Sequence, residues 1–283
     1  MLGAATWLYV PALRLRELLP KAVAGADAVV VDLEDAVHPE QRPEARRVMT
    51  ATLAGRQPVP VFVRVNRVGT ADFDADLAAV VPLLEARLVD GVRLPKVESA
   101  VEVGIAWEAT SAALPRPHLV PLLESALGVR NAHEIAGAAG VHSIGLGESD
   151  LRADLGLPRG DRADDGLLLA RLTLVMASAA AGLPAPTGSV FSNVSDSDAL
   201  RESCQELRRL GFYGRSVIHP RQVAVVREVF APTAAEQDWA SAVVTRASAM
   251  DTGGVGATAL ADGSFVDPAI VRQAQHILER AVG

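Results

Sequence analysis

The chain has 283 residues, of which 34 are acidic and 27 are basic, so its formal net charge is −7. Its composition, 49% hydrophobic and 22% charged, is typical of a folded domain, its acidic balance argues against nucleic-acid binding, and the lack of a long apolar run argues against a membrane span. The single cysteine, Cys204, excludes a disulfide framework and a cysteine zinc site, and with no signal-peptide pattern at the N-terminus we expect a cytoplasmic protein.

Short apolar runs bounded by Gly, Pro or Asp predict eight strands along the chain. Runs that are apolar at nearly every position are typical of parallel sheets covered on both faces. The predicted strands are 7–11, 28–33, 59–65, 91–95, 119–123, 143–146, 187–191 (the weakest) and 215–218.

Segments with helical spacing separate these strands. The predicted helices are 13–24, 43–53, 73–87, 100–114, 131–139, 166–181 and 198–210. This alternation predicts an α/β fold, and the count of eight favours a (β/α)8 TIM barrel over residues 1–231. An open doubly wound sheet is less favoured, because no glycine-rich turn follows the first strand. Helices at 234–250 and 268–281 predict a C-terminal helical extension and lid over residues 232–283.

Polar residues follow six of the predicted strands. The carboxyl ends of barrel strands share one face, so these side chains are expected to meet at one mouth. They are Asp32, Glu34 and Asp35; Arg64 and Asn66; Lys96 and Glu98; Glu124; Glu148 and Asp150; and His219.

Several carboxylates at one mouth would repel each other unless a cation holds them together. Oxygen ligands without His or Cys favour Mg²⁺, and Glu124 with Asp150 is the best pair. The planar guanidinium of Arg64 suits a substrate carboxylate or a developing oxyanion. Such a set predicts a site that stabilises an enolate.

The motifs around these residues resemble the citrate lyase beta-subunit-like family, which includes malyl-CoA and citramalyl-CoA lyases. The similar stretches, in order, are DLEDAV, VRVN, LPKVES, LLESALG, GLGESD, IHP and SFVDPA. They run from near the N-terminus to the last helix. The resemblance implies a (β/α)8 barrel with a C-terminal extension, Mg²⁺ as cofactor, a CoA thioester as substrate and a homotrimer.

The resemblance also implies roles for individual residues. Arg64 grips the substrate, Glu124 and Asp150 bind Mg²⁺, and Asp35 is an acid beside the metal. Asp267 is the general acid/base that a neighbouring subunit's lid brings to the thioester.

Four further residues are assigned by the same motifs. Glu34 in DLEDAV is a candidate catalytic acid, Lys96 a substrate contact, and Glu98 part of the surrounding polar network. Arg14 is a candidate contact for the substrate and the CoA phosphates, although a solvated helix face explains it equally well.

The implied reaction is cleavage of the carbon–carbon bond in a short carboxylated 3-hydroxyacyl-CoA, such as malyl-, citramalyl- or citryl-CoA, or the reverse condensation. The chain would then be a Mg²⁺-dependent oxo-acid lyase. A thioester hydrolase on the same scaffold is one alternative. A non-catalytic acyl-CoA or dicarboxylate binder is another, because Leu127 stands where the family commonly has arginine and Ser149 where it has an acid. Asn193, where aspartate is usual, is a further departure.

Some of these residues also have structural interpretations. Asp267 precedes Pro268 and can cap a helix, which is compatible with catalysis. For His219 we expect a hydrogen bond donated to a backbone carbonyl. The other five histidines show no metal-ligand spacing and are expected at the surface or in loops.

Overall fold

The computed structural model describes residues 4–111, 118–158, 163–251, 258–259 and 265–281. The chain divides into two compact units, a larger one that ends at Val229 and a smaller one that begins at Phe230. Within the described residues, no helix has the length and apolar character needed to cross a bilayer.

The larger unit is built on a parallel sheet of seven strands, which confirms the predicted α/β class. The strands are β1 (Thr6–Pro11), β2 (Ala28–Asp32), β3 (Val61–Arg64), β4 (Gly91–Leu94), β5 (His118–Leu123), β6 (Gly145–Leu146) and β7 (Arg215–Val217). Their order in the sheet is β6-β5-β4-β3-β2-β1-β7. From β1 to β6, strands that are consecutive in the sequence are therefore also adjacent in the sheet.

The sheet is strongly curled. In a flat sheet four strand spacings would place β4 about 19 Å from β7. Instead, Nη1 of Arg93 on β4 lies 3.4 Å from Oγ of Ser216 on β7. Trp7, Phe62 and Val120 pack together on the same concave face. This curvature is consistent with a TIM-like barrel.

The predicted strand at 187–191 does not form as a strand. Thr187 makes one parallel bridge to Gly145 of β6, and Gly188 makes one to Arg215 of β7. Pro184 and Pro186 precede these residues, and proline has no backbone N–H to donate to a ladder. The segment therefore links the two edges of the sheet through single bridges.

Helices follow the strands along the chain. Up to residue 230 the described α-helices are α1 (Leu15–Gly25), α2 (Arg42–Thr52), α3 (Ala71–Glu85), α4 (Ala100–Ser111), α5 (Ala126–Arg130), α6 (Ala132–Ala136), α7 (Glu148–Asp154), α8 (Leu168–Ala180), α9 (Ser197–Arg209) and α10 (Pro220–Phe230). The helix predicted at 131–139 is present as the shorter α6, and a second short helix, α5, which was not predicted, precedes it and ends next to Asn131.

In its described residues, the smaller unit contains two helices and a small antiparallel sheet. Its elements are α11 (Ala234–Asp251), β8 (Thr258–Ala259), β9 (Phe265–Val266) and α12 (Pro268–Ala281). Ala240, Val243, Val266 and Ala274 form its buried core. This unit has its own apolar interior.

Candidate active site

A cavity of about 400 Å³ lies at the carboxyl ends of the strands in the larger unit. Its walls carry most of the charged residues that the sequence singled out, because parallel strands end at the same edge. Residues that line it include Asp32, Asp35, Arg64, Glu124, Asp150 and Ser216.

Arg64, the last residue of β3, is held by three carboxylates. Its Nε and Nη2 donate to the two oxygens of Asp32 at 2.8 and 2.6 Å. Its Nη1 lies 2.8 Å from Oε2 of Glu34 and 3.0 Å from Oδ2 of Asp35. Burial by itself lowers the pKa of Arg64, but the hydrogen bonds to Asp32 and the attraction of Asp32, Tyr9 and Glu34 together raise it.

Asp32 was expected at the shared mouth but was given no role there, although it is the strongest partner of Arg64. It is 2% exposed and also accepts hydrogen bonds from the backbone N–H groups of Glu34 and Ala36. The signal for it was present in the sequence. Asp32 lies two positions after Val30 on β2, and residues two apart in a strand share a face.

Lys96 places one ammonium group among four carboxylates. Its Nζ donates to Oε1 of Glu34 and lies 3.5 Å from Asp150, 3.6 Å from Asp35 and 3.7 Å from Glu124. Burial lowers the pKa of Lys96, but the hydrogen bond to Glu34 and the attraction of Glu34, Glu124 and Asp35 together raise it. Its backbone φ is +54°, a strained value for a residue with a side chain.

Of the two predicted metal ligands, Glu124 is more deeply buried than Asp150. It is 6% exposed, and its Oε2 has no hydrogen-bond partner in the described part of the chain. Burial raises its pKa to about 8, and the attraction of Lys96 only partly opposes this. A further cation near this oxygen would favour the charged form.

Gly147 makes room for this carboxylate. A Cβ at position 147 would lie 2.5 Å from Cγ and 2.7 Å from Oε1 of Glu124. Any larger residue would therefore displace the Glu124 side chain. The sequence analysis did not identify this glycine.

The donor set fits a hard divalent cation. No group of three His, Cys, Asp or Glu side chains is arranged around a common metal position among the described residues. Mg²⁺ usually takes only one or two carboxylates and completes its shell with substrate oxygens and water. Glu124 and Asp150, which both line the cavity, could serve as that pair.

Three other predicted residues make contacts outside this cluster. Arg14 is exposed and pairs with Glu17 at 2.9 Å, which is the arrangement of a solvated helix face. Glu98 pairs with Arg67 at 2.9 Å and accepts a hydrogen bond from Ser125 at 2.8 Å. Asp267, in the smaller unit, accepts a hydrogen bond from the N–H of Ile270 and caps α12.

The structure corrects one expectation about the histidines. His118 begins β5 and packs against His142 with ring centroids 4.4 Å apart and the rings tilted by 57°, so His118 is half-buried in a strand, whereas His142 lies in a loop as expected. Burial lowers the pKa of both, that of His142 to about 4. The Nδ1 of His219 accepts a hydrogen bond from the N–H of Arg221 at 3.1 Å, and donation to a carbonyl stays a prediction for its Nε2.

Comparison with known proteins shows similarity along nearly the whole chain. It is 32% identical to the citrate lyase subunit beta of Leuconostoc mesenteroides subsp. cremoris, covering 98% of this chain and 92% of that protein. It is 33% identical to a (3S)-malyl-CoA thioesterase of Cereibacter sphaeroides, covering 97% and 93%.

A crystal structure of CitE from Mycobacterium tuberculosis, in complex with magnesium, acetoacetate and coenzyme A, matches with a TM-score of 0.79 and 33% identity. The match covers 99% of both chains. The family model for HpcH/HpaI aldolase/citrate lyase matches residues 6–220, which include the whole cluster around Arg64 and Lys96. The chain therefore belongs to the HpcH/HpaI aldolase/citrate lyase family.

Proposed function

We propose that this protein is a Mg²⁺-dependent lyase that cleaves the carbon–carbon bond of a short carboxylated 3-hydroxyacyl-CoA thioester, or runs the reverse condensation. Malyl-, citramalyl- and citryl-CoA are the candidate substrates. The observation that carries the proposal is the buried Oε2 of Glu124, which has no hydrogen-bond partner among the described residues and lines a cavity together with Asp150 and Arg64. The related CitE, whose structure holds magnesium and coenzyme A, supports the same ligands here.

Glu124 and Asp150 would hold the metal ion, which when bound would polarise the substrate oxygens. Arg64 would stabilise the negative charge that develops on the thioester fragment as the carbon–carbon bond breaks. Because Asp32 holds its guanidinium by two hydrogen bonds, little reorganisation is needed when that charge forms. Lys96 would contact the substrate and neutralise part of the negative charge of Glu34 and Asp35.

Asp267 is proposed as the proton donor to the thioester fragment. Its carboxyl group would give a proton to the carbon that loses its bond, while the 3-hydroxyl group releases its own proton and becomes the carbonyl of the second product; in the condensing direction both transfers run in reverse. We further propose that residues 232–283 form a lid, that a homotrimer lets one subunit supply Asp267 to the next, and that Arg14 contacts the CoA phosphates. Asp35 and Glu98 would hold neighbouring groups in place, and Glu34 would act as a further acid.

A thioester hydrolase is the second candidate function. It is favoured by the relative named (3S)-malyl-CoA thioesterase, which is as similar to this chain as the citrate lyase subunit is. The two reactions leave different products. A lyase acting on malyl-CoA yields acetyl-CoA and glyoxylate, whereas a hydrolase yields free CoA and intact malate.

The test is a panel of 3-hydroxyacyl-CoA esters assayed with and without Mg²⁺, with products identified by mass. We expect acetyl-CoA only with Mg²⁺, and loss of turnover in Glu124→Gln and Arg64→Ala. Arg47→Ala is the matched control, because Arg47 is exposed and pairs only with Glu44 among the described residues. Unchanged turnover in both site variants would show that the site is wrongly assigned.

A further inference from the structure

Arg93 is a buried cation without an acidic partner. It lies on β4, is 1% exposed, and forms no ion pair with any carboxylate that the structure describes. Its guanidinium lies over the rings of Trp7 and Tyr9, at 4.9 and 5.4 Å from their centroids. Its Nε has no hydrogen-bond partner within the described residues.

The other deeply buried arginines of this unit are satisfied. Arg171 pairs with Glu148, Asp164 and Glu206. Arg215 donates to the carbonyl oxygen of Ser189 at 2.7 Å and to Oγ of Ser203 at 2.9 Å. Arginine keeps its proton in proteins, and an uncompensated buried charge is unfavourable. The charge of Arg93 is therefore available to an anion.

Ser216 connects Arg93 to the cavity. Its Oγ accepts the N–H of Arg93 at 3.4 Å, so its own hydrogen is left to donate, and Ser216 lines the cavity wall. Ser189 lines the same cavity, and its Oγ accepts the N–H of Glu148 at 3.2 Å, which leaves a second hydroxyl hydrogen. A hydrogen bond from a cation to a hydroxyl oxygen strengthens the donor power of that hydroxyl.

The fold leaves little free space around this guanidinium. A Cβ at Gly145 would lie 3.2 Å from Nη2 of Arg93 and 2.8 Å from Leu122, so the glycine makes room for the arginine. The donors of Arg64, by contrast, are already directed to Asp32, Glu34 and Asp35. Ser216 and Ser189 therefore add donors for a ligand carboxylate that are not already directed to an acid.

We propose that Ser216 and Ser189, with Arg93 behind Ser216, form a subsite that donates hydrogen bonds to the carboxylate of the keto-acid part of the substrate, beside Lys96 and the metal pair. Ser216 is the direct donor and Arg93 a positioning residue that acts through it. The proposal rests on the proposed function for the identity of the ligand. It adds where the carboxylate binds and why this chain would prefer a carboxylated substrate to a neutral one.

The test compares binding of pyruvate with binding of pyruvamide, a neutral analogue of nearly the same size, to the full-length protein by calorimetry. Wild-type protein should prefer pyruvate by about tenfold or more, as expected for hydrogen bonds to a charged group. Arg93→Met should remove this preference while the affinity for pyruvamide stays within about twofold, and Arg93→Lys should retain most of it. Ser216→Ala should weaken pyruvate binding, and adding Arg93→Met to it should change little.

An unchanged preference in Arg93→Met would overturn the proposal, as would equal weakening of both probes, which indicates a purely structural role. If Arg93→Met does not fold, Ser216→Ala carries the test, because it removes one buried oxygen and keeps the backbone. The measurement needs no turnover. The subsite can therefore be confirmed even if the protein proves to be a hydrolase, and it can be refuted even if the protein proves to be a lyase.

Discussion

Arg64 and Asp32 form a two-point ion pair on adjacent strands, with Nε 2.8 Å from Oδ1 and Nη2 2.6 Å from Oδ2. The two residues are register partners of β3 and β2. Asp32 thus fixes the plane of the guanidinium and leaves Nη1 to face Glu34 and Asp35. The orientation of Arg64 therefore depends on Asp32, which need not touch the substrate itself.

Replacing Asp32 by Asn should lower turnover without unfolding the protein. The amide keeps the size of the side chain but loses one acceptor and the charge, so the guanidinium becomes less well held. We expect a fall in kcat of about 10- to 100-fold, since small displacements of reacting groups have effects of this size. Glu44→Gln, which removes the partner of the exposed Arg47, is the control and should leave kcat unchanged. A wild-type kcat in Asp32→Asn would refute the positioning role.

Gly147→Ala should weaken Mg²⁺ binding. The new methyl group would overlap the Glu124 carboxylate, and disturbing the support of a metal ligand typically costs about 10- to 100-fold in affinity. The measurement is Mg²⁺ titration followed by calorimetry. Gly104→Ala, in α4, is the matched control, because its Cβ would meet nothing within 4 Å and alanine favours a helix. Equal Mg²⁺ affinity in the two variants would contradict the prediction.

Two substitutions of Asp267 separate its capping role from its proposed catalytic role. Asp267→Asn keeps a good cap for α12, whereas Asp267→Ala should destabilise the smaller unit by about 1 kcal/mol. Both should abolish turnover if the carboxyl group moves the proton. Thermal unfolding and kinetics distinguish the two effects, and an active Asp267→Asn would rule out proton transfer by this residue.

The proposed trimer adds a test with mixed subunits. If one subunit supplies Asp267 to the next, inactive Asp267→Asn and inactive Arg64→Ala chains should regain part of the activity when they are mixed and allowed to exchange. Homogeneous preparations of each variant serve as controls. No recovery after demonstrated exchange would argue that Asp267 does not act in trans.

The His118–His142 pair should make stability fall in mild acid. Burial lowers the pKa of His142 to about 4, below the ordinary value of 6.5, so the unfolded chain binds the proton more readily. The resulting stability is complete above about pH 6.5 and is lost as the pH falls towards 4, by about 1–2 kcal/mol after allowing for partial exposure.

Urea unfolding of His142→Phe between pH 4 and 7 checks this expectation. The variant should show a flatter profile than the wild type. His133→Gln, a change at an exposed histidine, should reproduce the wild-type profile. A wild-type slope in His142→Phe would assign the pH dependence to other groups.

Most of the fold could be predicted from local pattern. Seven predicted strands and the helices between them are present, since apolar periodicity reports which faces are covered. The meeting of Glu34, Lys96 and Glu124 also followed from the sequence, because parallel strands end at one edge. The strand at 187–191 could not be judged in this way, since its pairing depends on the two edges it bridges.

The sequence by itself determined the parallel α/β alternation and the collection of acids at the strand ends, because both depend on neighbours along the chain. Only the tertiary structure decided which charges pair. The curl of the sheet brings Arg93 within 3.4 Å of Ser216, 123 positions away, and leaves Arg93 without a described acidic partner. It gives Arg64 three carboxylates and leaves Oε2 of Glu124 without a hydrogen bond in the described structure. Such pairings depend on distances across the sheet, and no local pattern encodes those distances.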